Sequence, residues 1–148
     1  MKHLPKAVLL THVAATLVMV GVIWFIQVVH YPLFPKVPRT AFDAYEASNT
    51  QLTFWFVGPP MAVEALTGVL LLWRRPEEVR LALAWTGLGL VAIIWLSTAL
   101  LQVPQHQILL SGFDPSAHRT LVLSNWIRTI AWSMRGVLVL WIIADSCR

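Results

Sequence analysis

The sequence has few charged residues and almost no cysteine, and each shortage excludes a class of protein. Charged side chains make up 12% of the 148 residues, whereas apolar side chains make up 57%. A soluble domain of this length could not bury so much apolar surface, so the composition predicts an integral membrane protein. The single cysteine, Cys147, excludes an internal disulfide bond and a cysteine-based metal motif. The sequence also lacks a phosphate-binding glycine loop, a dinucleotide-binding fingerprint and a nucleophile elbow.

The long apolar runs predict the fold class. Each of four segments contains the roughly 20 residues that a helix needs to cross a membrane. These segments cover about residues 7–29, 51–73, 81–103 and 120–143. They predict one all-α domain over residues 1–148, an integral membrane four-helix bundle. The first run is longer than a signal-peptide core and lacks a small-residue cleavage site, so we expect it to remain as the first span.

The basic residues predict an orientation rather than a nucleic-acid partner. The formal net charge is +4, but these residues lie at helix ends or inside the spans, so we expect no nucleic-acid binding. The side of the membrane that holds both termini carries Lys2, Lys6, Arg74, Arg75, Arg80 and Arg148, and the other side carries Lys36, Arg39 and Arg119. The positive-inside rule therefore predicts both termini in the cytoplasm.

The fourth span combines a hydrophobic length with buried polar groups. It contains Asn125, Arg128 and Arg135, which share a helical face with His118 and Trp132. A charge at the bilayer centre costs about 2.5–3.5 kcal/mol on insertion scales, so such residues normally face protein or water. We therefore expect this stripe to face the interior of the bundle.

Glu64 is the only carboxylate inside a predicted span, and it follows Gly58-Pro59-Pro60. Its depth matches that of Arg135, so a Glu64–Arg135 pair would neutralise both charges. This pair could be a structural tie between the second and fourth spans, a proton-handling carboxylate, or an arginine clamp for an anion.

Arg128 has no acidic residue at its own depth. With Asn125 and Gln27 it could hydrogen-bond a carbonyl, phenolate or carboxylate of a lipophilic molecule. The alternative is that it is satisfied by backbone carbonyls, by Ser97 or Thr98, or by Glu64.

Three histidines, His30, His106 and His118, fall at one predicted membrane face. They could hold Zn, Cu or Fe with an open position for substrate, or one of them could act as a general acid or base. Haem is disfavoured, because His12 is the only histidine inside a predicted span, so bis-His ligation within one chain is impossible.

The chain resembles the anthrone oxygenase-like family of small four-helix integral membrane proteins, in an uncharacterised bacterial branch. The resemblance rests on Asn125-Trp126-Ile127-Arg128-Thr129 with Trp132 and Arg135, and on Leu101-Gln102-Val103-Pro104 with His106. It also includes His30-Tyr31-Pro32-Leu33-Phe34 and Val57-Gly58-Pro59-Pro60-Met61 with Glu64. It implies oxygenation of a reduced polycyclic phenol without an established organic cofactor. The segment Pro104-Gln105-His106 departs from the family's asparagine-containing motif, so the substrate does not carry over.

Together these patterns predict an outward-opening cavity between the first, second and fourth spans. In it, Asn125 and Arg128 would hold the polar end of a lipophilic aromatic or quinone-like molecule, with Gln27, Glu64 and Arg135 nearby. Trp126, Trp132 or Phe54 would stack on its ring, and His30 or His118 would accept a phenolic proton. Dioxygen could then react with the substrate's own carbanion.

Two other functions remain open from the sequence. One is a non-catalytic membrane subunit that binds membrane lipids or a pigment, as a homo-oligomer or within a larger complex. The other is a metal-binding membrane protein that uses the outer histidines.

Overall fold

The computed structural model describes residues 4–77 and 79–146, and this part of the chain is entirely helical, without strands. Lys2, Cys147 and Arg148 lie outside the described residues. Four long helices account for the fold: α1 (Leu4–Lys36), α2 (Arg39–Arg74), α3 (Leu81–Leu109) and α4 (Pro115–Asp145). Each is long and apolar enough to cross a membrane, so the predicted four-helix membrane architecture is confirmed.

The helices lie in chain order around the bundle, each packed against the next, with α4 packed against α1. Large apolar side chains cover the outside, as in Leu52, Phe56 and Leu100, each about two-thirds exposed. In water this surface would be unstable, whereas hydrocarbon chains can solvate it.

The helices extend beyond the apolar segments predicted as spans. α1 continues past Pro32 and α3 past Pro104, and α2 begins at Arg39, before the predicted start of the second span at residue 51. Helix α2 also continues without interruption through Pro59 and Pro60.

Two π-helical segments explain how α1 and α3 tolerate their prolines. The segments are Ile26–His30 in α1 and Thr98–Gln102 in α3, and each ends two residues before a proline. A proline ring crowds the carbonyl group four residues earlier, which here belongs to the π segment in both helices. The wider π turn moves that carbonyl away, and such turns often occur at functional sites.

Helices α1 and α4 pack tightly at Gly136. A Cβ atom at this position would lie 3.1 Å from Cγ2 of Val20. The contact therefore depends on the absence of a side chain at Gly136, as small residues allow other helix pairs in membranes to pack closely.

We expect Gly136→Leu to separate α1 from α4 and to lower the free energy of unfolding by about 1–3 kcal/mol, the usual cost of overpacking. Gly89→Leu on α3 is the matched control, because no atom lies within 4 Å of a Cβ built there. Denaturation followed by circular dichroism in a mild detergent measures both. Equal stability of the two variants would contradict the close approach.

Candidate ligand cavity

A cavity of about 500 Å³ lies in the half of the bundle that contains the α1–α2 and α3–α4 connections. All four helices line it. Its apolar and aromatic lining includes Met19, Ile23, Phe54, Val57, Met61, Trp95 and Trp132. Its polar lining includes His30, Tyr31, Asn49, Thr53, Thr98, Gln102, His106 and Arg128. A few convergent polar groups in an apolar enclosure are typical of a small-molecule site.

The predicted position of the opening, between α1, α2 and α4, is wrong. Phe34, Phe42 and Leu121 fill that crevice and are fully buried. The cavity lies instead between α2 and α3, with α1 and α4 forming its back wall.

Arg128 is buried at this back wall, and all of its hydrogen-bond partners are neutral. Its Nε donates to Oδ1 of Asn125 at 2.9 Å, and its two terminal nitrogens donate to Thr98 Oγ1 and to the Tyr31 hydroxyl, each at 3.3 Å. Asn125 is held in turn, because its Nδ2 donates to Oε1 of Gln27 at 2.7 Å. The predicted trio of Gln27, Asn125 and Arg128 is therefore one connected unit.

The guanidinium of Arg128 has no counter-ion among the described residues. The ion pairs there join His106 to Glu46 and Arg135 to Glu64. A buried cation without an anion is costly, and Arg128 lines the cavity. An anionic or strongly electron-rich ligand oxygen would reduce that cost.

His106 forms a directed hydrogen-bond chain with Glu46 and Tyr31. Its Nδ1 lies 2.5 Å from Oε1 of Glu46, which is fully buried, and its Nε2 lies 3.2 Å from the Tyr31 hydroxyl. Because a carboxylate only accepts, Nδ1 carries the proton and Nε2 is left to accept. The same arrangement lets a histidine act as a general base while a carboxylate stabilises the imidazolium.

A branch of this chain reaches His30. Nδ2 of Asn49 donates to Oε2 of Glu46 at 3.0 Å, so Oδ1 of Asn49 is the acceptor for Nε2 of His30 at 2.8 Å. Thr53 donates to the same oxygen at 3.2 Å. Both oxygens of Glu46 are thus engaged, and one carboxylate orients two histidines at the cavity.

The predicted Glu64–Arg135 pair is formed below the cavity. Nε of Arg135 donates to Oε1 of Glu64 at 2.8 Å, and both side chains are almost completely buried. Arg135 also donates to the Gly87 carbonyl on α3, and to His12 at 3.1 Å and Thr16 at 3.4 Å on α1. The pair does not line the cavity, so its position favours the structural interpretation.

Trp132 separates the cavity from this ion pair. Its ring lines the cavity, and its Nε1 donates to Oε2 of Glu64 at 3.0 Å. The carboxylate therefore fixes the orientation of the indole that forms the cavity floor.

Gln27 and Asn125 reach the cavity only through Arg128, and two further predicted site residues, Trp126 and His118, lie away from it. Trp126 is 40% exposed on the outer surface, where its ring meets Trp24 edge to face at 5.8 Å. His118 does not line the cavity, because its Nε2 is directed to the Tyr31 carbonyl at 2.8 Å. Neither position suits ring stacking or proton transfer with a ligand in the cavity.

The structure does not bring His30, His106 and His118 together as metal ligands. Among residues 4–77 and 79–146, no group of three or more His, Cys, Asp or Glu side chains is arranged to hold a metal ion. Each imidazole is instead hydrogen-bonded to a different partner: His30 to Asn49, His106 to Glu46 and His118 to the Tyr31 carbonyl. The ring of Phe34 packs beside all three, with its centroid 5.2 Å from that of His30, 6.5 Å from that of His106 and 5.9 Å from that of His118.

Sequence reasoning missed Tyr31, Asn49 and the pairing of Glu46 with His106. A usable signal was present, because residues 46, 49, 53 and 57 recur at intervals of three or four, as one face of a helix does. The first two of these residues lie before residue 51, where the second span was predicted to begin, so the pattern was divided.

No family model, curated protein or solved structure gives a significant match to this chain.

Arg135→Met should lower the free energy of unfolding by about 3–5 kcal/mol, because it leaves the buried Glu64 carboxylate without its cation. Adding Glu64→Gln should recover most of this loss by removing the uncompensated charge. Denaturation in mild detergent measures the free energy of unfolding of each variant. Arg119→Met is the control, because Arg119 is exposed on the same helix. If the single and double variants were equally unstable, the pair would not be the reason for the loss.

Proposed function

We propose that the protein is a membrane enzyme that binds a lipophilic phenol or quinol-type aromatic in the α2–α3 cavity and removes its proton. The observation that carries this proposal is the convergence of an uncompensated Arg128, the Tyr31 hydroxyl and the Glu46–His106 pair in one apolar cavity. Arg128 binds the ligand oxygen, and His106 is the proton acceptor.

Charge balance supports this assignment of roles. Before proton transfer, the negative charge of Glu46 and the positive charge of Arg128 are separated by neutral His106 and Tyr31. After transfer, the imidazolium of His106 pairs with Glu46, and the ligand anion pairs with Arg128. Each charge then has a hydrogen-bonded counter-ion, which favours the ionised state in a low-dielectric site.

Tyr31 connects the two halves of the reaction. Its hydroxyl accepts from Arg128 and faces Nε2 of His106, so it can pass a ligand proton to the imidazole. Trp132 on the floor and Phe54 on the rim are the aromatic surfaces for the ligand ring.

The resemblance to anthrone oxygenase-like proteins gives the reaction class within this proposal. An enolisable polycyclic phenol that loses its proton becomes electron-rich enough to react with dioxygen, so the protein itself needs no electron carrier. The enzyme would be an oxidoreductase of the oxygenase type.

The proposed location is the bacterial inner membrane, with both termini in the cytoplasm and membrane lipids around the bundle. The excess of basic residues at the terminal side and in the α2–α3 hairpin supports this orientation. The cavity then lies in the outer half of the membrane.

A naphthol probe tests the proposed chemistry, because naphthol and naphtholate absorb at different wavelengths. We expect the native protein in detergent to bind the probe as naphtholate. Arg128→Met should weaken binding by about 10–100-fold, since a hydrogen bond to a charged group contributes about 1.5–3 kcal/mol. His106→Gln should retain binding but lose the naphtholate absorption. Arg119→Met on α4 is the matched control.

His118→Gln distinguishes between two possible proton acceptors. His118 lies outside the cavity, so this variant should keep the naphtholate absorption that His106→Gln loses. The opposite pattern would transfer the role of base to His118, and unchanged binding in Arg128→Met would refute the proposed function.

Cysteine labelling tests the orientation. In a Cys147→Ser background, a membrane-impermeant maleimide added to whole cells should label Ser111→Cys in the α3–α4 turn. It should label Glu77→Cys in the α2–α3 hairpin only after lysis. The reverse pattern would place the termini outside.

A further inference from the structure

The exposed part of the cavity lining belongs entirely to two helices. The exposed lining residues are Phe54 on α2 and Trp95, Ala99, Val103 and Gln107 on α3. The lining residues contributed by α1 and α4 are buried or half-buried. The cavity therefore opens sideways between α2 and α3, through a mouth formed by these five residues.

In the proposed membrane orientation, the mouth faces hydrocarbon over most of its length. Trp95 lies near the middle of the span predicted over residues 81–103 and Gln107 just beyond its end, so the mouth would extend from the bilayer interior to the interface. Its sides are apolar, apart from Gln107 at the interface end.

Two other sides of the cavity are closed by buried side chains. The floor is formed by Met19, Met61 and Trp132, which are buried. The crevice between α1, α2 and α4 is filled by the buried side chains of Phe34 and Phe42. The gap between α2 and α3 is therefore the side of the cavity with the most exposed lining.

The size of the cavity limits which part of a ligand it can enclose. About 500 Å³ is within the range that encloses a small ring system. A long hydrocarbon chain attached to the ring would have to leave through the mouth, where the surrounding acyl chains can solvate it.

We infer that the ligand is a membrane-resident quinol-type phenol with a hydrocarbon tail, which enters sideways from the bilayer and keeps its tail between α2 and α3. This inference rests on the proposed function, because Arg128 and His106 must receive the phenolic head. The mouth residues determine which molecules gain access, and the buried polar groups determine what is bound.

The test compares two probes on the protein in phosphatidylcholine vesicles, a benzoquinol with a decyl tail and the same ring without it. Binding is measured by stopped-flow fluorescence and expressed per mole of probe in the bilayer, so that partitioning of the tailed probe into lipid is removed. We expect the tailed probe to bind at least tenfold more tightly on this scale. Equal affinities would overturn the inference.

Mouth variants test the route. Ala99→Trp and, independently, Val103→Trp should slow association of the tailed probe at least tenfold. Gly89→Trp is the matched control, because Gly89 is exposed on α3 but does not line the cavity. Unchanged association in both mouth variants would overturn lateral entry.

Arg128→Met separates failure of this inference from failure of the proposed function. If this variant weakens the binding of both probes and the two probes bind equally tightly to the native protein, the site functions as proposed and only the inference about the tail fails. If this variant weakens the binding of neither probe, the proposed function fails and the inference fails with it.

Discussion

The fold depends on the burial of one arginine, Arg135, within a helix that crosses hydrocarbon. Its guanidinium cannot reach water, so every donor has to be satisfied by protein. The partners come from the other three helices: His12 and Thr16 from α1, Glu64 from α2 and the Gly87 carbonyl from α3. One side chain therefore determines the relative depth of all four helices, and apolar packing fills the space around this point.

The second arginine lies two turns away and is held differently. Arg128 is also buried, but its partners are neutral hydroxyl and amide groups. Between the two guanidiniums lies Trp132, which binds Glu64 on one side and lines the cavity on the other. The same stripe of α4 thus provides a fully neutralised structural centre and, one heptad earlier, a cation that remains available to a ligand.

Hydropathy and helical spacing were sufficient to predict the four spans, the inward stripe of α4 and the Glu64–Arg135 pair, because depth in a membrane follows from position along a helix. The Gln27–Asn125–Arg128 group followed from the same argument. The position of the cavity could not be predicted in this way, because it depends on Phe34 and Phe42 filling one crevice. That packing depends on tertiary structure, not on position along a helix. The ends of α1 and α3 were not predicted either, because a π turn can accommodate a proline and let the helix continue beyond its apolar segment.

The two π segments also explain why an opening exists at this level of the bundle. Each segment contains a glutamine that binds α4: Gln27 from α1 accepts from Asn125, and Gln102 from α3 donates to Ser124 at 3.0 Å. Asn125 and Ser124 are adjacent on α4, and they therefore hold α1 and α3, respectively. Helix α2 lies diagonally opposite α4, and at this depth it reaches α3 through the Glu46–His106 contact near the membrane face. Below that contact the cavity lies between α2 and α3.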